Sequence, residues 1–193
     1  MISKRLTVAA AAAIALSLAG CGSDTSDDSA TETTGTTVAA ATSCPTGTPA
    51  ADASPTWTTN GTTGSLAVVA PTDTTAPKIT VTPPFAVAET QVHTLTEGSG
   101  AVVPDSANVS VCYVGVNGRD GSTFDSAYSR GTPAEFALGQ VVPGFQKAIA
   151  GQKVGSSVAV AMTSADGYPR GNPNAGINAG DSLVFVLQIL SAN

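Results

Sequence analysis

Only one segment in the second half of the chain has the pattern of a helix, and the segments around it alternate apolar and polar residues as strands do. Residues 143–151 begin with Pro143, which suits the first helical position, and place Phe145, Ala148 and Ile149 on one face. The candidate strands comprise residues 78–82, 91–96, 108–115, 122–126, 133–138, 156–162 and 183–190. We therefore predict an α+β fold in which an antiparallel sheet of five to six strands wraps on one short helix.

The N-terminus has the pattern of a secretory signal. Lys4 and Arg5 precede a short apolar run that ends in Leu-Ala-Gly-Cys at residues 18–21. The run is shorter than the roughly 20 residues that span a bilayer. Its ending resembles the bacterial lipobox, in which the signal is cut before a cysteine that then carries lipid. We expect residues 1–20 to be a lipoprotein signal peptide and Cys21 to carry acyl chains such as palmitate. The alternative is an ordinary secreted protein with a coincidental cysteine.

The segment after the signal is poor in large apolar side chains. Ser, Thr, Ala, Gly and Asp dominate it, and Trp57 and the run at residues 66–69 are the exceptions. A segment of this kind buries too little apolar surface to offset the entropy of ordering. We predict a largely disordered tether over residues 21–77 and a folded domain over residues 78–193. The two apolar exceptions either dock on that domain or stand alone.

The composition argues against several kinds of site. His93 is the only histidine, so a catalytic triad would depend on it alone, and it lies in an alternating strand far from the stretch at residues 124–145. After Cys21, only Cys44 and Cys112 remain, too few for a clustered zinc site. The formal net charge is −6, and no basic patch is present to neutralise phosphates. We expect no metal, no cofactor and no nucleic-acid partner.

The two remaining cysteines bear on the compartment in which the chain folds. Outside the cytoplasm, a disulfide between Cys44 and Cys112 would link the tether to the domain. The alternative is a buried free thiol at Cys112. The sequence leaves both alternatives open.

One stretch combines charge with aromatic residues. Between Phe124 and Phe145, an acid and a base, Asp125 and Arg130, stand among aromatic and aliphatic side chains. An apolar pocket with a few fixed polar groups is the usual form of a small-ligand site. A plainer interpretation also fits: the phenylalanines belong to the core of a β-rich domain, and the two charges form an ordinary ion pair.

A series of short motifs runs through residues 111–185. They are Val111-Cys112-Tyr113-Val114-Gly115, Gly121-Ser122-Thr123-Phe124-Asp125-Ser126, Phe136-Ala137-Leu138-Gly139, Val141-Val142-Pro143-Gly144-Phe145, Val154-Gly155, Asp166-Gly167-Tyr168 and Leu183-Val184-Phe185. Their order and spacing resemble the FKBP-type peptidyl-prolyl isomerases, the tacrolimus-binding family, over roughly residues 78–193. The lipobox and the Thr-rich tether resemble the surface-anchored actinobacterial members.

The resemblance implies a pocket for a prolyl ring and peptidyl-prolyl cis-trans isomerase activity. The implied catalytic contacts are Tyr113, Phe124, Asp125, Tyr168 and Phe185. The implied substrate-binding residues are Val141, Val142, Phe145, Ile177, Phe136 and Arg130. Tyr168 stands where the family donates a hydrogen bond to the carbonyl of substrate or drug, and Arg130 stands where the family pairs an arginine with the aspartate.

Three positions depart from the family pattern. The pocket floor, usually tryptophan, is Phe145; a second pocket aromatic is replaced by Ala134; and the loop residue that is often histidine falls near Asn172.

The resemblance also implies the partners and the location. The partners are proline-containing peptides, unfolded or secreted client proteins and macrolide inhibitors, and the location is extracytoplasmic, at a membrane, through lipid on Cys21. Two alternatives from other classes remain. One is a proline-binding chaperone or adaptor with little or no catalysis, and the other is a structural surface lipoprotein.

Overall fold

The structure, a computed structural model, describes residues 42–193. The predicted signal peptide, Cys21 and the first part of the predicted tether lie outside the described residues. The strands are β1 (Trp57–Asn60), β2 (Thr63–Val69), β3 (Lys78–Ala86), β4 (Gln91–Thr96), β5 (Asn108–Asn117), β6 (Thr123–Ser126), β7 (Ala134–Ala137), β8 (Ser157–Met162) and β9 (Leu183–Ala192). The helices are α1 (Ala127–Arg130) and α2 (Pro143–Ile149). Neither helix is long and apolar enough to cross a membrane.

Six strands form the main sheet. Its order is β4-β8-β9-β5-β6, β7 also pairs with β5, and all of these pairs are antiparallel. Helix α2 packs on the inner face of this sheet, which confirms the predicted α+β fold of an antiparallel sheet wrapped on one short helix. Helix α1, a single turn, was not predicted.

The strands β8 and β9 are buried on both faces. Along β8, Val158, Val160 and Met162 belong to the inner core with α2, whereas Ala159 and Ala161 belong to a second apolar cluster on the outer face. A strand that reads as a continuous apolar run is typical of a sheet covered on both sides. The outer face therefore has a cover of its own.

That cover is a second sheet of order β1-β2-β3. From β2, Leu66 and Val68 are 2% and 0% exposed, and they pack with Val184 and Val186 of β9. The prediction of a largely disordered tether up to residue 77 is therefore wrong for the part that contains β1 and β2. These strands are too poor in apolar residues to be stable alone, but the outer face of the main sheet provides the apolar partner that the local sequence lacks.

Strand β3 continues through Pro83 and Pro84, beyond the predicted end at residue 82. It lies at the edge of its sheet, and edge strands and bulges are the places where a sheet tolerates proline. The partner strand β2 has an irregularity opposite, at Gly64, whose φ is +64°. A Cβ at Gly64 would lie 2.2 Å from the carbonyl oxygen of Thr82, so this close approach requires glycine.

Helix α2 forms where the sequence predicted it, although it ends at Ile149. Pro143 occupies the first turn, and Phe145, Ala148 and Ile149 are buried. The Gly144 N–H donates to the carbonyl oxygen of Asp166 at 2.8 Å, which ties the start of the helix to the connection between β8 and β9.

Cys44 and Cys112 form a disulfide. Both residues are buried, at 3% and 0% exposure. The bond links the chain before β1 to the middle of β5, so of the two alternatives left open by the sequence the structure contains the disulfide.

Candidate active site

A pocket of about 550 Å³ opens on the inner side of the main sheet, between β5, β6, α2 and the connection from β8 to β9. Its lining is mostly aromatic and aliphatic, with a few polar groups. The lining residues are Tyr113, Phe124, Asp125, Phe136, Gln140, Val141, Val142, Phe145, Tyr168, Asn172, Asn174, Ala175 and Phe185. Of the residues proposed from the sequence, all line this pocket except Arg130 and Ile177.

Arg130 and Ile177 lie outside the pocket lining, each for a different reason. Arg130 lies outside the lining and reaches Asp125 from the solvent side. Ile177 is 1% exposed and belongs to the inner core, so the expectation that it contacts a ligand is not supported by its position. Its backbone pairs with that of Asn172, and its side chain is the apolar anchor of an otherwise polar loop.

Three aromatic rings pack against that of Phe145, the predicted floor of the pocket. Its ring centroid lies 5.4 Å from that of Phe185, 5.6 Å from that of Phe136 and 5.9 Å from that of Tyr113, in edge-to-face arrangements. Phe124 packs edge-on against Phe185 at 5.4 Å. Edge-to-face pairs of this kind hold one another's orientation. The result is a close-packed apolar box, the aromatic box, formed by Tyr113, Phe124, Phe136, Phe145 and Phe185.

Gly115 of β5 makes room for this box. A Cβ at that position would lie 2.6 Å from Cζ of Phe124 and 2.8 Å from Cε1 of Phe185. Two pocket rings therefore rest directly on the backbone of the strand.

We expect Gly115→Ala to displace the Phe124 ring toward the pocket and to lower the affinity for a prolyl peptide by about tenfold, with a stability loss of about 1–3 kcal/mol from overpacking. Peptide titration followed by NMR would measure the affinity. Gly139→Ala is the matched control, since no atom lies within 4 Å of a Cβ there. Equal affinities in both variants would contradict the predicted role of Gly115.

Three polar residues, Tyr113, Asp125 and Arg130, form what we call the polar wall. The Tyr113 hydroxyl donates to Oδ2 of Asp125. Nη1 of Arg130 donates to Oδ1 of Asp125 at 2.5 Å, and Nη2 of Arg130 reaches the Tyr113 hydroxyl at 3.4 Å. The backbone N–H of Ser126 also donates to Oδ1, at 2.8 Å. The three hydrogen bonds that reach Asp125, from Tyr113, Arg130 and the Ser126 N–H, stabilise the ionised carboxylate.

The polar wall sets the protonation of its members. Burial by itself raises the pKa of Asp125, but the hydrogen bonds from Tyr113 and Arg130 and the charge of Arg130 outweigh it and hold that pKa below its usual value. Burial, together with the hydrogen bond to Asp125, raises the pKa of Tyr113 to about 12. At neutral pH the wall therefore presents an ionised carboxylate and a neutral phenol beside the aromatic box.

Helix α1 brings Arg130 back to Asp125. The Ser126 hydroxyl accepts the Ser129 N–H at 3.0 Å as the N-cap, and Gly131, with φ of 68°, ends the turn. One helical turn between an aspartate and an arginine five residues later folds the two side chains together.

The connection from β8 to β9, residues 163–182, carries the other side of the pocket and is held by a buried carboxylate. Oδ2 of Asp181 accepts from Nδ2 of Asn117 at 2.7 Å, from the Asn178 N–H at 2.8 Å and from Nε of Arg119 at 3.3 Å. Asp181 thus links the connection to the turn after β5. We call residues 163–182 the β8–β9 loop.

The hydrogen bonds of Asp181 predict a loss of stability in acid. Burial raises the pKa of Asp181, but its hydrogen bonds outweigh that effect and lower the pKa overall. The Asp181 carboxyl therefore binds a proton more readily in the unfolded chain than in the folded one. Its contribution to stability is complete above the unfolded pKa of about 3.9 and is lost as the pH falls through the lower pKa of the folded state. Urea unfolding between about pH 6 and pH 3 would show the decrease. In Asp181→Asn the decrease should be smaller, and an unchanged slope would contradict the assignment.

The sequence did not single out Gln140, Asn174 and Ala175 as pocket residues. Gln140 stands immediately before Val141, and the other two follow Asn172 in the β8–β9 loop, so adjacency to predicted lining residues was the available signal. Gln140 and Asn174 make the rim of the pocket polar while its floor stays apolar.

The pocket is suited to binding and orientation. Its lining contains no Cys, Ser, His or Lys. His93, on β4, stacks on Trp57 with ring centroids 5.2 Å apart and is not part of the lining. Within residues 42–193, no group of three or more His, Cys, Asp or Glu is placed to hold a metal ion.

Comparison with known proteins gives one family. Residues 100–190 match the family model of FKBP-type peptidyl-prolyl cis-trans isomerases. The chain is 35% identical to the FK506-binding protein of Streptomyces anulatus over 107 residues, 54% of this chain and 86% of that protein. It is 34% identical to the probable FK506-binding protein of Corynebacterium glutamicum over 96 residues, 49% of this chain and 80% of that protein.

A solved structure supports the fold. The N-terminal domain of FKBP42 from Arabidopsis thaliana superposes with a TM-score of 0.51 at 16% sequence identity, over 55% of this chain and 87% of that one. At this identity the likeness concerns the fold alone. The family rests on the sequence matches, which span most of the Streptomyces protein and include the whole aromatic box and polar wall. The chain belongs to the FKBP-type peptidyl-prolyl cis-trans isomerase family.

Proposed function

We propose that this isomerase assists the folding of extracytoplasmic proteins by binding Xaa-Pro segments in the aromatic pocket and favouring the twisted amide. The observation that carries the proposal is the combination of the aromatic box around Phe145 with an ionised Asp125 at its edge. A prolyl ring suits the box, and the preceding amide then lies beside the polar wall.

Isomerisation of this bond requires no nucleophile. The barrier arises from the partial double-bond character of the amide, about 18–20 kcal/mol. An enzyme lowers such a barrier by binding the twisted amide more tightly than the planar one. The twisted amide has lost its resonance and is more like a ketone. Phe145 and Phe185, with Val141 and Val142, hold the ring while the carbonyl on the other side of the bond rotates.

Two polar groups distinguish the twisted amide from the planar one. Tyr168 lines the pocket and donates a hydrogen bond to the substrate carbonyl oxygen. Asp125 stays ionised at neutral pH, and its charge faces the carbonyl carbon, which becomes more positive when resonance is lost. Tyr113 and Arg130 hold Asp125 in place.

The location is part of the proposal. A signal sequence that ends in Leu-Ala-Gly-Cys, with lipid on Cys21, would anchor the chain to the membrane, and the Cys44–Cys112 disulfide is typical of an oxidising compartment. The proposed clients are proline-containing segments of secreted proteins near the membrane surface.

The test is prolyl cis/trans exchange by NMR on a short Xaa-Pro peptide. The protein is the chain without residues 1–20 and with Cys21→Ser, measured with and without tacrolimus. We expect acceleration at catalytic protein concentration and its loss with the drug. Tyr168→Phe should lower kcat/KM about five- to tenfold, the equivalent of one hydrogen bond of about 1 kcal/mol, and Asp125→Ala should lower it at least as much.

The same experiment distinguishes the alternative of a proline-binding chaperone or adaptor. Ala134 in place of an aromatic residue and the polar rim at Asn172 and Asn174 favour that alternative. Peptide binding in the pocket without acceleration, by a parent protein with an intact melting transition, would overturn the proposed catalysis and leave the binding function.

A further inference from the structure

Residues 44–49, which we call the N-terminal strap, run along the back of the polar wall. The Cys44 N–H donates to the carbonyl oxygen of Gly131 at 3.1 Å, and Cys44 is bonded covalently to Cys112. Farther along, Gly47 exchanges backbone hydrogen bonds with the segment before β3: its N–H donates to Thr74 at 3.1 Å, and its carbonyl accepts from Ala76 at 2.8 Å. The strap is therefore held at both ends.

The two points where Cys44 is attached are the two ends of the polar wall. Cys112 immediately precedes Tyr113, and Gly131 immediately follows Arg130. One buried residue of the strap thus joins the strand that carries the phenol to the turn that carries the guanidinium.

The side-chain contacts of Arg130 are largely exposed to solvent. Helix α1 is a single turn, and the side chains of Arg130 and Asp125 are 50% and 41% exposed. Exposed ion pairs contribute little by themselves, because solvent screens them and two long side chains must be ordered. The position of Arg130 then depends on its backbone, which the caps of α1 and the strap, through Gly131, hold together.

The buried side of α1 borders a cleft that the strap closes on its far side. Tyr128 is 2% exposed, and among the described residues its hydroxyl is the one buried side-chain group without a hydrogen-bond partner. A cavity of about 240 Å³ lies between Tyr128 and Ser129 on one side and Thr46, Ala76 and Pro77 on the other. Without the strap, α1 would have a solvent-filled gap on its back instead of a fixed support.

We propose that the N-terminal strap and its disulfide are a positioning element for the polar wall, and that Cys44 and Gly47 are positioning residues of the active site. The strap keeps Arg130 at the distances that Asp125 and the Tyr113 hydroxyl require. The proposal rests on the proposed function for its activity readout only, since the geometry of the wall can be measured without turnover.

The test compares four variants of the chain that lacks residues 1–20 and carries Cys21→Ser. Cys44→Ala removes the bond and leaves Cys112 in place. Gly47→Ala keeps the bond but moves the strap, because a Cβ there would lie 2.3 Å from the carbonyl oxygen of Thr74. Val68→Ala is the control for lost stability, since it truncates a buried residue of the outer cluster, away from the wall. Arg130→Ala removes one member of the wall.

Two quantities are measured in each variant: the titration of the Asp125 carboxyl carbon by NMR and kcat/KM on an Xaa-Pro peptide. We expect Cys44→Ala to raise the pKa of Asp125 toward its ordinary value and to lower kcat/KM about three- to tenfold. Gly47→Ala should also raise the pKa of Asp125 and lower kcat/KM, but by smaller amounts than Cys44→Ala does. Val68→Ala should change neither, although it melts at a lower temperature.

A double-mutant cycle separates positioning from general loosening. If the strap acts through Arg130, then Cys44→Ala has little further effect on either quantity in the Arg130→Ala background. Multiplicative effects in the double variant, or an Asp125 titration unchanged in both strap variants, would overturn the proposal. If the parent shows no isomerase activity, the proposed function fails, but the titration and its cycle still decide whether the strap positions the wall.

Discussion

A chain shortened to residues 78–193 is expected to lose most of its stability, although it contains every residue of the pocket. The truncation removes β1 and β2 together with Cys44 and its disulfide. It uncovers an apolar face of the main sheet formed by Ala159, Ala161, Val184 and Val186.

The expected loss is comparable to the whole stability of a domain. Burial of Leu66 and of Val68 each contributes about 1.5–3 kcal/mol, and a native disulfide contributes about 2–5 kcal/mol. Small domains are stable by only about 5–15 kcal/mol. An exposed apolar face of this kind also promotes association between molecules.

Urea unfolding of residues 42–193 and of residues 78–193, followed by circular dichroism, measures this effect. A third protein, residues 42–193 with Cys44→Ala, separates the contribution of the disulfide from that of the two strands. We expect the unfolding midpoint to be highest for residues 42–193, lower for the Cys44→Ala variant of that segment and lowest for residues 78–193. A truncated chain with the midpoint of the longer one would show that the second sheet does not stabilise the domain.

Phe145→Ala is expected to abolish prolyl binding and to destabilise the fold. Phe145 is 5% exposed and contacts Tyr113, Phe136 and Phe185. Truncation of a buried phenylalanine to alanine lowers the free energy of unfolding by about 3–5 kcal/mol, because the apolar burial of the ring is lost and a cavity remains. The cavity here opens into the pocket, so the floor on which the prolyl ring rests disappears.

The matched control is Phe85→Ala. Phe85 is 1% exposed but belongs to the outer cluster, on the other side of the main sheet. We expect both variants to melt at lower temperature, and only Phe145→Ala to lose peptide binding at a temperature where both are folded. If Phe85→Ala lost binding equally, general destabilisation rather than the pocket floor would account for the result.

Local patterns were sufficient for the main sheet and for most of the site. The alternation in residues 108–115 and 183–190 predicted β5 and β9, and Pro143 with its apolar face predicted α2. The pocket residues were implied by the resemblance of the motifs in residues 111–185 to the isomerase family, not by local periodicity. Their spacing along adjacent strands and one helix leaves little choice of neighbours once the sheet is formed.

The interactions that could not be predicted from the sequence all join residues that are distant along the chain. Asp181 is an ordinary loop aspartate in the sequence, and only its contacts with Asn117 and Arg119 give it a role in holding the β8–β9 loop. Ile177 stands in a polar loop beside the pocket residues, and its burial depends on the direction in which that loop folds back onto the core.

The sequence by itself determined the fold class, the helix of the site, and the aromatic and charged residues that make the pocket, because periodicity, turn residues and motif order act over a few residues at a time. Only the tertiary structure decided where the domain begins. Strands β1 and β2 have too few apolar residues to order themselves, and they are stable because Leu66 and Val68 meet an apolar face formed more than 90 residues later. The disulfide joins Cys44 to a residue 68 positions away. Burial of this kind depends on a partner surface that no local pattern describes.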